Sequence, residues 1–501
     1  MTRRWAFPLE LEPKDGVPLF VRIFEAICLD VRRGRLHPGQ RLPGSRSLAQ
    51  SLGVHRSTVV SAYAELDAQG WIATRPGGGT YIAAVLPEGS ARPRLGVRTG
   101  IARHTGYLVE PAPVPTTPIP SLPRGVLALW GGIPDLRLVP VELLGRAYRR
   151  VLKRHGHTLL GYTPESAGYP ALRAAIADLV ASARALPADA DSVFITRGSQ
   201  MALDLVARSL LRPGDVVAVE ALCYRSAVST FQRAGAELLA IPVDREGLHV
   251  DALATLLRKT TVRAVYVTPH HQYPTTVMLS PSRRLALLEL ARRERFAIIE
   301  DDYDQEFHYD GRPLAPLAST DASGSVIYVG TLAKILAPGL RLGFVVAPRP
   351  LLERMTEERI LVDRQGDTVL ECAVAELLED GDIQRHVRRT RRVYQARRDA
   401  LCDLVESQLG GVLSYQRPAG GLALWASTDP RIDLELWQRR ALERGVHFQI
   451  GKQFSLDGSR VPAIRLGYAL LDERELRSAI RRVASSLPRG VTSAPGASSR
   501  R

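Results

Sequence analysis

Only five lysines occur in the 501 residues, and one of them, Lys334, stands in an apolar segment, Tyr328-Val-Gly-Thr-Leu-Ala-Lys334-Ile-Leu-Ala-Pro-Gly-Leu-Arg-Leu-Gly. Arginine supplies nearly all the other positive charge, so a lysine here answers a need that arginine cannot meet. An amine held out of water has a lowered pKa and a free lone pair, which suits Schiff-base formation with an aldehyde cofactor; a guanidinium stays protonated. Taken alone, Lys334 reads first as a surface lysine whose stem covers apolar ground. Other residues tip that balance. The apolar run Phe296-Ala-Ile-Ile ends in Glu300-Asp301-Asp302-Tyr303. A carboxylate at a strand end can keep a pyridine nitrogen protonated, and the adjacent Tyr303 can hydrogen-bond a ring phenolate. A calcium or magnesium site is the rival reading of the three acids, but no spaced loop of oxygen ligands accompanies them.

Thr196-Arg-Gly198-Ser199-Gln200 sits where a strand gives way to a helix. Exposed amides at the helix start and the Ser199 hydroxyl suit a dianionic phosphate, although such a pair alone usually means a cap. Arg341, in Gly339-Leu-Arg-Leu-Gly, offers bidentate pairing to the same anion. Tyr224, following the run Val216–Val219, can stack on a flat ring or simply fill a core.

The elements that must position these groups are legible as alternating patterns. Ser192-Val-Phe-Ile-Thr, Val216-Val-Ala-Val, Ala264-Val-Tyr-Val, Phe296-Ala-Ile-Ile and Val326-Ile-Tyr-Val read as buried strands. Helical stretches such as Gln200–Leu211 and Ser282–Arg295 lie between them. This alternation predicts an α/β domain with a mainly parallel sheet covered on both faces, whose ligands sit beyond the carboxyl ends of the strands.

Composition sets the wider limits. The chain is 45% hydrophobic and 24% charged, with 41 Gly and 34 Pro, which excludes coiled-coil, collagen-like and mostly disordered classes. Basic residues outnumber acidic ones 67 to 52, a net +15 that points to a polyanion partner. Four scattered cysteines without a C-x-x-C pair predict neither disulfides nor a zinc site, and no metal is expected. No signal peptide and no bilayer-length apolar run are seen, so a cytoplasmic, membrane-free protein is expected. Residues 1–84 are helix-patterned. Residues 85–125 crowd eight prolines and read as a linker. Residues 126–487 carry the strand–helix alternation, and 488–501 form a small, polar tail.

In the first of these regions Phe20, Ile23, Phe24, Ile27 and Val31 recur at helical spacing before Gly34. A short helix, Ser45–Leu52, is expected to start on a Ser45 cap and stop at Gly53; a third begins around Val54-His55-Arg56-Ser57-Thr58. That spacing is helix-turn-helix. Trp71-Ile72 and Thr80-Tyr81-Ile82, flanking Arg75-Pro-Gly-Gly-Gly, read as a two-stranded wing. Residues 1–105 hold 15 basic and 8 acidic side chains, a surplus of seven. Arg46, Arg56, Ser57 and Thr58 are placed to enter a major groove, and the wing glycines to let backbone approach DNA. A small helical interaction module is the alternative.

The pattern Leu42-Pro-Gly-Ser-Arg-Ser-Leu-Ala-Gln-Ser-Leu-Gly-Val-His-Arg-Ser-Thr-Val resembles the GntR-type winged helix. Residues 126–487 look like a fold-type I aminotransferase with a small C-terminal α/β subdomain. Their fusion resembles the MocR (GabR-like) subfamily of GntR transcriptional regulators. The resemblance implies pyridoxal 5′-phosphate as cofactor, with Lys334 as its Schiff-base lysine, Asp301 as pyridinium partner, and Tyr303 and Tyr273 near the ring oxygen. It further implies Tyr224 as the stacking ring and Ser199, Gln200, Thr331 and Arg341 as the phosphate cradle. Tyr162, in Gly161-Tyr162, would reach the neighbouring subunit's phosphate, and Arg465, in Ala463-Ile-Arg-Leu-Gly-Tyr, would grip an effector carboxylate. Arg46, Arg56, Ser57, Thr58 and Gly78 are implied as DNA contacts. Three positions depart from the family pattern: Ala333 stands for serine, Thr276 for glycine and Tyr273 for asparagine. The implied function is a regulator that senses an amino acid or related amine by aldimine exchange at Lys334. A working aminotransferase carrying a DNA-binding module is the alternative, and a DNA-binding protein without cofactor a third. A head-to-tail, domain-swapped homodimer reading two half-sites of double-stranded operator DNA is implied as well. The dense basic run Arg385–Arg398 reads as a solvated helix face or a second DNA-facing patch.

Overall fold

The computed structural model describes residues 9–11, 16–75, 78–87, 104–109 and 121–488. The chain divides into two units, Met1–Glu110 and Pro111–Arg501. Pro76 and Gly77 of the wing, much of the proline-rich segment, and the tail beyond residue 488 lie outside the described residues.

In the first unit, helix α1 (Leu19–Arg32) buries Ile23, Ile27 and Val31, one face of a 3.6-residue period. Helix α2 (Ser45–Leu52) ends at Gly53, whose φ of +63° is the left-handed stop expected of a glycine. Its start differs from expectation: Gly44 takes the cap position, and Ser45 is the first helical residue. The Ser45 hydroxyl instead accepts a hydrogen bond from Arg56 Nε at 3.3 Å, joining the starts of two helices. Helix α3 (Arg56–Ala68) is capped by His55, whose ring accepts from the Ser57 amide. Val59, Ala62, Tyr63 and Leu66 face the core, and the Tyr63 hydroxyl donates to Pro43 O at 2.7 Å, fixing α3 against the start of α2. Strands β1 (Ile72–Arg75) and β2 (Gly79–Ile82) pair antiparallel from Ile72–Ile82 to Arg75–Gly79, forming the wing.

In the second unit, β3 (Leu127–Leu129), α4 (Val141–Leu159) and α5 (Pro170–Arg184) precede the main sheet. There follow β4 (Val193–Thr196), α6 (Ser199–Leu210), β5 (Val216–Glu220), α7 (Arg225–Arg233), β6 (Glu237–Ile241) and a small hairpin of β7 (Val243–Asp244) and β8 (Gly247–Leu248). Then come α8 (Val250–Leu257), β9 (Ala264–Val267), α9 (Pro281–Glu294), β10 (Ala297–Asp302), β11 (Val326–Thr331) and β12 (Gly343–Val346). The seven strands lie in the order β4-β12-β11-β10-β9-β5-β6. Only β12 runs against its neighbours. Alternate residues feed opposite faces: Val193 and Ile195 join the core under α4 and α5, whereas Phe194 joins that under α6. A sheet buried on both sides is why its strands read as continuous apolar runs.

Helices α10 (Arg349–Val362), α11 (Thr368–Glu379) and α12 (Asp382–Leu409) lead into a five-stranded sheet. Its strands β13 (Leu413–Tyr415), β14 (Ala423–Thr428), β15 (Val446–Ile450) and β16 (Ala463–Gly467) accompany α13 (Leu434–Glu443) and α14 (Glu473–Ser485), and β3 pairs parallel with β15 at the edge. The basic run on α12 is divided. Arg385, Arg388, Arg389, Arg391 and Arg392 are exposed, but Arg397 and Arg398 are buried in pairs with Asp135 and Asp310. Those two arginines are structural and belong to neither a solvated nor a DNA-facing surface.

Among the described residues no helix is long and apolar enough to cross a membrane.

Candidate functional site

Strand β10 carries the three acids to its carboxyl end, and the pleat parts them. Glu300 accepts the Leu317 and Ala318 amides at 2.8 and 2.9 Å. Asp302 accepts from the Tyr328 hydroxyl beside Arg184. Asp301 points the other way: its Oδ2 accepts from the Tyr266 hydroxyl at 2.7 Å, and its Oδ1 is buried with no partner. Burial pushes the Asp301 carboxyl up to about 6, opposed by the Tyr266 hydrogen bond and the charge of Lys334. A buried acid with one unspent oxygen is the form in which a carboxylate can take a ring N–H.

Lys334 lies in the turn just after β11. Burial lowers its amine below the ordinary lysine range; the carboxylates of Asp304 and Asp301 oppose that shift, while Arg465 and Arg341 reinforce it. Gly132 passes beside it in a left-handed conformation, φ +81°, that favours glycine.

Three aromatic side chains wall the same region. Tyr273 meets Tyr224 edge-on at 5.6 Å and Tyr303 at 5.9 Å. Tyr303 donates its hydroxyl to His271 O at 2.9 Å. The Arg465 guanidinium lies 4.4 Å from the Tyr273 ring centroid. Arg465 comes from β16, is 1% exposed, and gives Nε to Pro274 O at 3.1 Å; its Nη1 is buried and unpartnered. Gly131 permits that placement, because a Cβ would fall 2.0 Å from Nη1.

Beyond the ends of β4, β12 and β11, Thr196, Gly343 and Thr331 stand in register across three strands. Gly198 turns the chain into α6 with φ +78°, and a Cβ on it would meet Arg341 Nη2 at 2.9 Å. Gly343 is needed for a similar reason, since its Cβ would lie 2.9 Å from the Ser199 amide nitrogen. Backbone N–H groups at the start of α6 and the Arg341 guanidinium thus occupy one corner. The Thr331 hydroxyl accepts the Ala333 amide at 3.1 Å. Gln200 is turned differently from the rest: its side-chain nitrogen donates to Thr230 Oγ1 at 2.6 Å on α7, which leaves its backbone N–H as what it offers an anion.

Tyr162 stands apart. It is 86% exposed, with the Arg364 guanidinium 5.2 Å over its ring.

Sequence reasoning missed the groups that arm these residues: Tyr266, Asp304, Gly131 and Gly132. The glycine pair was a visible signal, but nothing in the spacing tied it to Arg465. Thr276, one of the departures from the family pattern, adopts φ +64°, a left-handed conformation that a β-branched residue rarely takes.

In the first unit, Arg46, Arg56 and Ser57 are exposed at the starts of α2 and α3, and Thr58 is half-buried. Gly78 closes the wing turn by donating to Arg75 O at 3.0 Å and accepting from the Tyr81 hydroxyl at 2.9 Å. The left-handed residue is its neighbour Gly79, with φ +104°. Exposed Arg41, which the sequence did not single out, lies against it: a Gly79 Cβ would be 3.0 Å from its Nε.

Residues 140–483 match the family Aminotransferase class I and II, and residues 19–82 match Bacterial regulatory proteins, gntR family. Over 480 residues the chain is 31% identical to a probable rhizopine catabolism regulatory protein, MocR, of Rhizobium meliloti, covering 95% of each. It is 32% identical to the HTH-type transcriptional regulator TauR of Rhodobacter capsulatus, covering 96% of this chain and all of that one. Among solved structures, the α-aminoadipate aminotransferase LysN of Thermus thermophilus, complexed with N-(5′-phosphopyridoxyl)-L-leucine, superposes with a TM-score of 0.68. It is 32% identical over 73% of this chain and 92% of its own.

Proposed function

Because the chain belongs to the MocR-type GntR regulators, DNA-binding proteins whose helix-turn-helix is fused to an aminotransferase class I and II domain with pyridoxal 5′-phosphate as cofactor, we propose that it senses a small amino compound at Lys334. The observation that carries this reading is the pairing of two buried, unspent groups beside that lysine. Asp301 Oδ1 and Arg465 Nη1 both lack partners. One suits a ring nitrogen, the other a carboxylate.

When bound, pyridoxal phosphate supplies an aldehyde carbon that amines attack and a ring that withdraws electrons from it. Ser199, the Gln200 backbone N–H, Thr331 and Arg341 would hold its phosphate, Tyr224 would supply the stacking face, and Tyr273 and Tyr303 would line its oxygen side. Burial lowers the Lys334 amine below the ordinary lysine range, which favours the form with a free lone pair. Arg465 orients an incoming amino acid by its carboxylate, so that the ligand's amine arrives where Lys334 stands. An amine that took the place of Lys334 would leave that side chain untethered, so the turn after β11 would be held differently in the ligand-bound and ligand-free states. The DNA response equals the ligand's differential affinity for those states. The phosphopyridoxyl-leucine held by the Thermus relative supports an amino acid as the ligand class.

The domain limits in this reading are 1–84, 85–125, 126–487 and 488–501, and the protein acts in the cytoplasm. Tyr162, Leu160, Val141 and Leu361 are exposed apolar side chains of the kind a head-to-tail homodimer would cover, and in such a dimer Tyr162 would be directed to the partner's phosphate. Two winged helices then read two half-sites of duplex DNA through Arg46, Arg56, Ser57, Thr58 and Gly78. The test is the visible spectrum and operator affinity of the full chain, followed together against a panel of amino acids and ω-amino acids. Ligands that perturb the spectrum should change operator affinity. Sustained turnover with a keto acid and no change in DNA binding would replace the sensor with a working aminotransferase.

A further inference from the structure

A second constellation lies outside the cofactor site. His270 and His271 follow β9, and His308 follows the turn after β10. Since β9 and β10 are neighbours, their ends bring the three imidazoles together. One ring nitrogen from each lies within 4.8 Å of the others. The residues are 5%, 1% and 6% exposed. His270 Nε2, His271 Nε2 and both nitrogens of His308 have no hydrogen-bond partner. A buried polar atom left unsatisfied is costly, so three rings meeting in this way call for a shared partner.

His271 is already arranged as a ligand. Its Nδ1 lies 2.7 Å from Asp304 Oδ1, the carboxylate–histidine contact that fixes a tautomer and directs the Nε2 lone pair outward. Space is kept on that side: a Cβ at Gly420 would fall 2.6 Å from His271 Nε2. The backbone of Gly420 bridges His308, so the cluster also ties the main sheet to the loop before β14.

We propose that His270, His271 and His308 form a binding site for a divalent transition cation of the zinc class, with Asp304 as its orienting carboxylate. Three neutral imidazoles select zinc, nickel, copper or iron over magnesium and calcium, which require oxygen ligands. Tetrahedral coordination at about 2.0–2.1 Å places ligand nitrogens roughly 3.3–3.5 Å apart, so binding draws together nitrogens that lie within 4.8 Å of one another. A fourth position is left to water. The bound cation pins the segment that carries Tyr303 and Asp304 against β9.

The test uses the full chain with cofactor, without an affinity tag, exposed to zinc chloride and then dialysed against metal-free buffer. Metal analysis should find about one zinc ion per chain, and the heat-denaturation midpoint should rise with zinc. The double variant His270→Asn/His308→Asn should lose both effects while keeping the cofactor's visible band, which reports that it folds. The surface double variant His155→Asn/His157→Asn should bind as wild type does. Wild-type protein that retains no zinc, or a double variant that retains as much as wild type, overturns the site.

Discussion

The guanidinium of Arg465 lies over Tyr273, 4.4 Å from the ring centroid, and keeps one buried nitrogen unpaired. The cation–π contact and the Nε bond to Pro274 O hold the group still without using its outer edge. An arginine held this way is preorganised for a carboxylate. Replacing it with lysine keeps the charge but loses the planar fork.

Arg465→Lys should therefore weaken amino acid ligands about 10- to 100-fold, the worth of a charge-assisted hydrogen bond. Amines that lack a carboxylate should be little affected. Spectral titration of both ligand classes with wild type and variant checks this; equal losses for both would remove carboxylate recognition from Arg465.

The pH dependence of cofactor binding follows from Asp301, which burial pushes up to about 6. A carboxyl whose folded pKa exceeds its ordinary value stabilises the fold below that ordinary value, and the contribution fades as pH climbs through about 6. At most it amounts to roughly 3 kcal/mol. Ionised Asp301 is also the form that holds a protonated ring nitrogen. The difference in melting temperature between cofactor-bound and cofactor-free protein should therefore widen from pH 5 to 7.5, and Asp301→Asn should flatten the trend. A variant with the wild-type slope would assign the effect elsewhere.

In the DNA-binding unit, Arg56 is exposed at the start of α3 and donates a 3.3 Å hydrogen bond to Ser45. Arg56→Ala should weaken operator binding and reduce the slope of log affinity against log salt by about one, as loss of one phosphate contact does. Fluorescence anisotropy over a salt series measures both; an unchanged slope would show that Arg56 does not contact phosphate.

Much of this architecture was legible because its signals are local. The apolar runs of β4, β5, β9, β10 and β11 read correctly since both sheet faces are buried, and Gly53 marked the helix-turn-helix stop. The edge strand β6 and the antiparallel β12 escaped notice, the former because its outer residues are only partly buried. Ser45 was misread because a serine at a helix start resembles a cap until its partner, Arg56, is known. What the chain order concealed was everything set by strand adjacency. Tyr266 meets Asp301 across two neighbouring strands, 35 residues apart. Gly131 makes room for Arg465 from the far end of the domain. His308 joins His270 and His271 only once β9 and β10 are known to be neighbours. The acid cluster was resolved by the pleat, which sends Asp301 one way and its neighbours the other.

A ligand that acts on DNA binding by competing with Lys334 must lose its effect when that lysine is locked. Borohydride reduction of the cofactor-bound chain fixes the cofactor to Lys334 permanently, and operator affinity of the reduced protein is then measured with and without a ligand known to perturb the wild-type spectrum. Reduced protein should still bind operator but no longer respond to the ligand. A full ligand response after reduction, with Lys334 modified throughout, would contradict competition at Lys334.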